Sequence, residues 1–475
     1  MKIEPGQHVA IIGAGISGLA AAWRVREVAP DARLTVLESK PQAGGVLQTL
    51  HQDGFLIERS ADSFITDPPY CLDLCRRIGL DEELIGTRKT DRRAFVICRG
   101  KLQPVPEAFQ LMAPTNLWAV LKSPVLSLRG KLRLCCERFV RARKSGTAGE
   151  ESLEQFATRR LGREAYTRLV QPLVSGIYTA DPAKLSVAAT LPRFIEMERE
   201  HGSLSRGAVR RARMRGGTNQ HESGARYGLF VTPRHGVASI AETILRKLPQ
   251  DAVRLGATVD SIQQSGGGGW NLRVSNSDTI SCDKLVIAAP AAAAGRLLAN
   301  IDGAISSDLG AIPYAGCAVV SLGFRRTQFQ RPLAGFGFVA PAIEGRRILS
   351  ASFSSAKFPG RAPDDHELIR VFVGGACQSE LLERDDSQLV AMALEELGEL
   401  VFVSGEPTIA HVARWNSAMP QYHIGHTELV TRIEQRCRQI GRLAIVGHAY
   451  RGVGLPHCIH YAESRVDELL GDEGQ

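Results

Sequence analysis

The stretch His8-Val9-Ala10-Ile11-Ile12-Gly13-Ala14-Gly15-Ile16-Ser17-Gly18 decides the fold class of this chain. Its first five residues are an apolar run, too short for a stable helix and suited to a strand buried on both faces. The run enters a Gly-x-Gly-x-x-Gly loop. A helical pattern follows through Leu19-Ala20-Ala21-Ala22-Trp23 to Pro30, and a second strand, Arg33 to Leu37, ends in Glu38. Gly13 permits the tight turn, Gly15 lets the backbone approach a pyrophosphate, and Gly18 lets the helix pack close to the strand. Free N–H groups at the helix N-terminus attract the phosphates. Glu38, twenty residues beyond Gly18, accepts hydrogen bonds from a ribose and repels a 2′-phosphate. The pattern predicts a dinucleotide site on a βαβ unit, with Gly13, Ala14, Gly15, Ile16, Ser17, Gly18, Glu38 and Ser39 as its residues.

The chain has 475 residues, about three domains' worth at roughly 150 residues each. A hydrophobic content of 44% and a charged content of 23% exclude a disordered, collagen-like or coiled-coil chain. With 58 Lys and Arg against 50 Asp and Glu the formal charge is +8, which permits an anionic partner without naming one. A membrane span needs about 20 apolar residues. The best uncharged stretch, Leu309 to Phe324, is shorter, contains Pro313, and reads as strands. The N-terminus lacks the pattern of a cleavable signal. The ten cysteines show no C-x-x-C spacing and read as buried, reduced thiols of a cytosolic protein. No H-E-x-x-H, G-x-S-x-G or S-x-x-K stands in a convincing context. His423 with His426, and His457 with His460, have metal-like spacing but no Cys or carboxylate partners at zinc spacing, so they read as structural and no metal is expected.

Pro41-Gln42-Ala43-Gly44-Gly45 follows closely on Glu38. This second glycine pair resembles that of FAD-binding chains of the amine-oxidase type, in which it adds backbone N–H donors beside the pyrophosphate. An Arg usually precedes the pair, and here Ala43 stands in its region. Seven further segments resemble those of the protoporphyrinogen oxidases, in order and over nearly the whole chain. They are Ile57-Glu58-Arg59-Ser60-Ala61-Asp62-Ser63-Phe64, the run from Leu173 through Gly176 to Pro182, Gly335 to Pro341, Phe358-Pro359-Gly360-Arg361-Ala362-Pro363, Phe372-Val373-Gly374-Gly375, Pro420 to His426, and Gly452-Val453-Gly454-Leu455-Pro456. Two departures stand out: Glu58-Arg59-Ser60-Ala61 replaces the family's Glu-x-Gly-Pro, and Gly447-His448 replaces its Gly-Asn.

The resemblance implies an α/β and α+β multidomain fold. A Rossmann-like FAD-binding domain would come from 1–88, 228–306 and 422–475, and a substrate domain on an antiparallel sheet from 89–99 and 307–421. A helical insertion would span 100–212, with a flexible basic loop at 213–227. Alternation in Ala318 to Leu322 and in Ile369 to Val373 marks two strands of the antiparallel sheet, and Gly266 to Gly269 reads as a hairpin tip. Further FAD contacts are implied at Gly44, Gly45, Val46, Ser60, Ala61, Asp62, Ser63, Val259, Gly447, His448, Val453, Gly454 and Leu455. On the substrate side, Arg93 would hold a propionate through two parallel hydrogen bonds. Gly176 would turn a carbonyl toward the pyrrole N–H groups, and Val339 and Phe372 would sandwich the macrocycle.

The implied reaction is the six-electron oxidation of protoporphyrinogen IX to protoporphyrin IX in haem biosynthesis. It proceeds in three two-electron turns, with O2 reduced to H2O2 at each. No conspicuous acid–base pair is expected, because the flavin carries the chemistry. In the insertion, Phe109, Leu111, Met112, Leu117, Trp118 and Leu121 precede Lys122, Arg129, Lys131, Arg133, Arg138, Arg141, Arg143 and Lys144. Apolar faces beside cations suit an amphipathic surface on an anionic membrane. The expected location is therefore cytoplasmic, peripheral on the membrane face. The expected partners are the porphyrinogen, O2, a lipid surface, a chelatase that receives the product, and a second copy of the chain. The arginines of Gly202 to Gly228 lack aromatic interleaving, so no nucleic acid is expected.

Three alternatives stay open at this level. Coproporphyrinogen III would undergo the same oxidation with four propionates instead of two. An FAD amine oxidase or carotenoid desaturase would need an aromatic cage or a long apolar tunnel. A redox-silent, flavin-holding membrane partner protein would bind FAD that substrate never bleaches.

Overall fold

In the computed structural model, His8–Ile12 is the central strand of a five-stranded sheet. The structure describes residues 6–107, 109–114, 116–143, 149–214, 227–275 and 279–471. The sheet order is Val253–Leu255, Arg33–Glu38, His8–Ile12, Lys284–Ile287, Leu443–Ile445, and every pairing is parallel. A sheet covered on both faces demands apolar residues at successive positions, and all five residues of the central strand are buried. Val9 and Ile11 pack under the helices Ile16–Val28 and Leu455–Gly471. Ala10 and Ile12 pack on the other side with Trp270, Leu285 and Ile287. Strands far apart in sequence thus share one doubly covered layer.

The second large sheet has seven strands, ordered Ile409–Pro420, Tyr314–Arg325, His366–Gly374, Ser350–Phe353, Gly337–Val339, Phe95–Cys98, Lys101–Pro104. Its pairings are antiparallel except that of Gly337–Val339 with Phe95–Cys98. One face is dry: Ala318, Val320, Leu322, Ala351, Ile369, Val371 and Val373 pack with Leu389, Met392, Ala393 and Leu397 of the helix Asp386–Val401. The alternation read from Ala318 to Leu322 and from Ile369 to Val373 is the signature of this buried face.

Lys101–Pro104, grouped by sequence with the helical insertion, is the edge strand of this sheet, because Phe95–Cys98 turns back on itself as a hairpin. Helices follow from Leu117, and their core gathers Phe109, Met112, Val120, Leu134, Phe156, Leu169 and Phe194. At its centre Arg160 and Glu137 form a wholly buried ion pair. The helix Leu204–Met214 runs into the first residues of the stretch 213–227 expected as a basic loop. Residues 215–226 of that stretch, like Lys144 and Ala108, lie outside the described residues.

The candidate flavin and substrate site

The glycine loop leaves no room for side chains. A Cβ on Gly18 would lie 1.9 Å from the Gly13 carbonyl oxygen, and one on Gly13, whose φ is +104°, would lie 2.8 Å from that of Ala288. Gly15 pairs with Gly44 in an isolated parallel bridge, and the Gly44 N–H donates to the Ala14 carbonyl at 2.8 Å. A Cβ on Gly45 would stand 3.1 Å from the Gly15 Cα. The two glycine pairs therefore face each other backbone to backbone. The helix beginning at Ile16 has no side-chain cap at Gly15, which leaves its first-turn N–H groups available for phosphate.

Glu38 is buried and braces this loop. Its Oε2 accepts the Ala14 N–H at 2.7 Å, and its Oε1 accepts the Lys40 N–H at 3.0 Å and the Ser39 hydroxyl at 3.3 Å. A carboxylate has about four acceptor sites, so a ribose hydroxyl can still be bound. The Glu38 and Lys40 carbonyls accept the N–H groups of Ala257 and Gly256 at 2.8 and 3.0 Å, which ties the backbone leading into Val259 to the same end of the sheet. The arrangement fits a dinucleotide with a free 2′-hydroxyl.

Val46 is exposed, and its carbonyl accepts the Ser60 hydroxyl. This contact links the glycine pair to the segment 59–63, which lies against the seven-stranded sheet. The Arg59 carbonyl accepts from Trp415 Nε1 at 2.7 Å, and the Ser60 carbonyl accepts from Arg370. Asp62 receives two hydrogen bonds from Lys357 Nζ, at 3.0 and 3.1 Å, and one from Ser63 Oγ at 2.7 Å, with Arg370 Nη1 at 3.5 Å. Burial opposes ionisation of Asp62, but Lys357 and Arg370 outweigh it and hold the carboxyl well below the usual range. Behind it, Arg361 donates to Thr232 Oγ1 and to the carbonyls of Pro233 and Arg234, at 3.1, 3.1 and 2.9 Å. Glu58 accepts from Thr49 Oγ1 and the Val237 N–H.

The sheet face opposite the dry core carries the proposed substrate positions. Val339 opposes Ser350, Ser350 opposes Phe372, and Phe372 opposes Val319. Direct partners share a face, so Val339, Ser350, Phe372 and Val319 form one row. The next row on this face runs Gly337, Ser352, Arg370, Ser321. Val339 and Phe372 are half-buried, although the other face of their strands is closed. The helix Gln171–Tyr178 lies over this row: a Cβ on Gly176 would stand 3.7 Å from Val339 Cγ1 and 3.9 Å from Ser350 Oγ. Gly176, Val339 and Phe372 are thus brought together.

Arg93 stands apart, three residues before Val96, the parallel partner of Val339. It is half-exposed, bound to Asp91, with its guanidinium 5.9 Å from the Phe95 ring centroid. A propionate there would share the guanidinium with Asp91.

Gly447 adopts φ +147° and Gly452 φ +135°. Tyr422 joins their segments, its hydroxyl donating to the His448 carbonyl at 2.5 Å and accepting the Gly452 N–H at 2.8 Å. His448 has its Nε2 bonded to the Ala418 carbonyl at 2.9 Å. Burial lowers its pKa and favours the neutral ring. His426 stacks on Tyr422 and His460 on Tyr70, with centroids 4.0 and 3.8 Å apart.

Lys357, Arg361 and Arg370 escaped the sequence reading. Their signal was present: Arg370 interrupts the apolar run Ile369-Arg370-Val371-Phe372-Val373 at an interval of two from Phe372, which places both on one face.

The chain matches the family of flavin-containing amine oxidoreductases over residues 16–470. It is 31% identical to the coproporphyrinogen III oxidase of Bacillus subtilis, with 98% of each chain covered. It is 29% identical to the chloroplastic protoporphyrinogen oxidase of Nicotiana tabacum, covering 97% of this chain and 85% of that one. A crystal structure from Exiguobacterium sp. 255-15 superposes with a TM-score of 0.84 at 27% identity, over 98% of both chains. The groove with its facing glycine pairs, the buried acid at its end and the likeness over the full length agree: the chain belongs to the flavin-containing amine oxidoreductases and is an FAD-dependent oxidoreductase with porphyrinogen oxidases among its relatives.

Proposed function

We propose that the chain oxidises a propionate-bearing porphyrinogen to the porphyrin, with O2 as final acceptor. The observation that carries this reading is the row Val339, Ser350, Phe372, half-buried at Val339 and Phe372, overlaid by Gly176 and adjoining the segment that meets the glycine groove. Bound FAD supplies the hydride acceptor. The row offers a flat, largely apolar wall on which a macrocycle buries one face. The segment around Gly176 supplies backbone polarity at that wall, and Arg93 supplies the cation for a propionate. The glycine loop, Glu38 and the strand leading from Val259 hold the dinucleotide, and the segments around Ser60 and His448 close the pocket. The parallel-sheet part is the cofactor domain, and the seven-stranded sheet forms the substrate wall.

Protoporphyrinogen IX is the first substrate reading. Coproporphyrinogen III is the second, favoured by the 31% identity to the B. subtilis enzyme of that name. Each is supplied to the FAD-loaded protein with O2 while porphyrin fluorescence and peroxide are followed. The ratio of kcat/KM values assigns the substrate, and absence of both signals with both substrates refutes the reading.

We further propose that the helical region rests on an anionic lipid surface at the cytoplasmic face. Among the described residues no helix is long and apolar enough to cross a membrane. Trp118, Leu128, Leu132 and Phe139 are 74, 78, 65 and 79% exposed, and Lys122, Arg129, Lys131 and Arg138 lie among them in sequence. Phe109 and Met112, which sequence placed on that apolar face, are instead fully buried in the helical core. There a poorly soluble product would pass to a chelating enzyme.

A further inference from the structure

We propose that Lys357, Arg370 and Asp62 form an electrostatic seat that sets the electron affinity of the bound FAD. The two cations favour the negative charge that its ring system gains on accepting a hydride, and Asp62 tempers them. The inference rests on the flavin reading of the groove.

Five charged groups are buried together where segment 59–63 meets the seven-stranded sheet. Lys357, Arg361 and Arg370 are 8, 1 and 1% exposed, and Glu58 is 2% exposed. Asp62 carries only 15% side-chain exposure. Three cations thus meet Asp62 and a Glu58 carboxyl that burial pushes toward its neutral form. Burying unbalanced charge is costly unless a partner compensates it. The compensation visible is incomplete: Arg361 Nε, Arg370 Nε and Ser354 Oγ are buried and have no partner among the described residues. The excess is positive, so negative charge that develops beside the cluster is favoured.

The position of the excess points to the flavin. The dinucleotide groove passes from Gly15 to Gly44 and Gly45, and the Val46 carbonyl then takes the Ser60 hydroxyl. Arg370 donates to the Ser60 carbonyl, and Lys357 grips Asp62 two residues on. The backbone that extends the groove therefore carries the cations with it. Arg370 also lies on the same sheet face as Phe372, its guanidinium 5.2 Å from that ring centroid. The cluster thus borders both the groove and the substrate row, the junction at which hydride must pass. Charge near a flavin tunes its electronics. At an effective dielectric of roughly 20, a unit charge several ångströms from the ring changes the equilibrium about ten-fold or more.

Sulfite tests this without substrate, because its lone pair adds to the oxidised ring and leaves the ring system negatively charged. FAD-loaded wild-type protein is titrated with sulfite while the flavin absorbance is followed, beside Lys357→Met, Lys357→Arg and Asp62→Asn. The wild type is expected to form the adduct. Lys357→Met should weaken it at least about ten-fold, Lys357→Arg should restore it, and Asp62→Asn should tighten it. A merely structural ion pair would not give opposite signs on neutralising its two ends. Absence of a wild-type adduct at saturating sulfite, or shifts of the same sign or none in the two neutralised variants, overturns the proposal. If Lys357→Met fails to retain FAD, Asp62→Asn decides alone, and an unchanged or weaker adduct there is equally fatal. A wild-type protein that takes up no FAD refutes the flavin reading itself, and this inference with it.

Discussion

Glu58 offers a quantitative test of the buried cluster behind segment 59–63. It is buried, with Oε2 accepting the Thr49 hydroxyl at 2.7 Å and Oε1 accepting the Val237 N–H at 2.8 Å. Burial pushes its carboxyl up to about 7 from an ordinary 4.5, against the pull of those hydrogen bonds and of Arg370 and Arg361. The folded chain therefore holds this proton more tightly than the unfolded chain. The resulting stability is fully present below the unfolded value and is lost as pH rises through the folded one. The full shift is worth about 3 kcal/mol, and about 2.5 kcal/mol of it falls between about pH 5 and about pH 9. Glu58→Gln keeps the shape and removes the titration. Urea unfolding of the FAD-loaded wild type and variant across that range should show the variant gaining about 2.5 kcal/mol on the wild type toward the alkaline end. Titrations elsewhere largely cancel in the difference. A difference that stays flat with pH refutes the raised carboxyl. An ionised Glu58, held by its attraction to Arg361 and Arg370, would titrate below about pH 5 and give that same flat difference across this range.

Gly18→Ala should yield protein with little or no bound FAD, because the new Cβ would lie 1.9 Å from the Gly13 carbonyl oxygen; wild-type flavin content in the purified variant would refute the close helix–loop packing. Arg93→Ala should raise KM for the porphyrinogen about ten-fold or more while kcat falls far less, as expected for loss of a charge-assisted carboxylate contact; an unchanged KM removes the propionate role. Replacing Leu128, Leu132 and Phe139 together by Ser should lower cosedimentation with anionic vesicles by about ten-fold, with activity in detergent unchanged; undiminished cosedimentation would show that another surface meets the lipid.

The cofactor half was legible in sequence because its constraints are local. A glycine loop, a buried strand and an acid at a fixed interval report one βαβ unit, in which Gly18 packs on the Gly13 carbonyl and Glu38 accepts the Ala14 N–H. The substrate wall was legible only as strands. That Val339 and Phe372 share a row depends on Ser350 lying between them, and register across three strands is not written in any one of them. The buried charges were harder still. Lys357 and Asp62 lie far apart in the chain and meet only when segment 59–63 docks on the second sheet. The exposed apolar patch was half legible: periodicity marked apolar residues near 109–121, but Phe109 and Met112 turned inward while Leu128 and Leu132 of the next helix took the outer face.

Ser60-Ala61, which the resemblance sets where Gly-Pro is expected, is held by the same cluster. A proline fixes its backbone without using a donor, so Gly-Pro holds a loop by restricting its conformations. Here the loop is held by contacts. The Ser60 hydroxyl is tied to Val46, the Ser60 carbonyl to Arg370, the Arg59 carbonyl to Trp415, and Asp62 to Lys357. These anchors come from both the groove and the sheet, so the loop's position depends on how the two parts are seated against each other. The loop is thus anchored on both sides, at Gln48 and Val46 toward the groove and at Trp415, Arg370 and Lys357 toward the sheet.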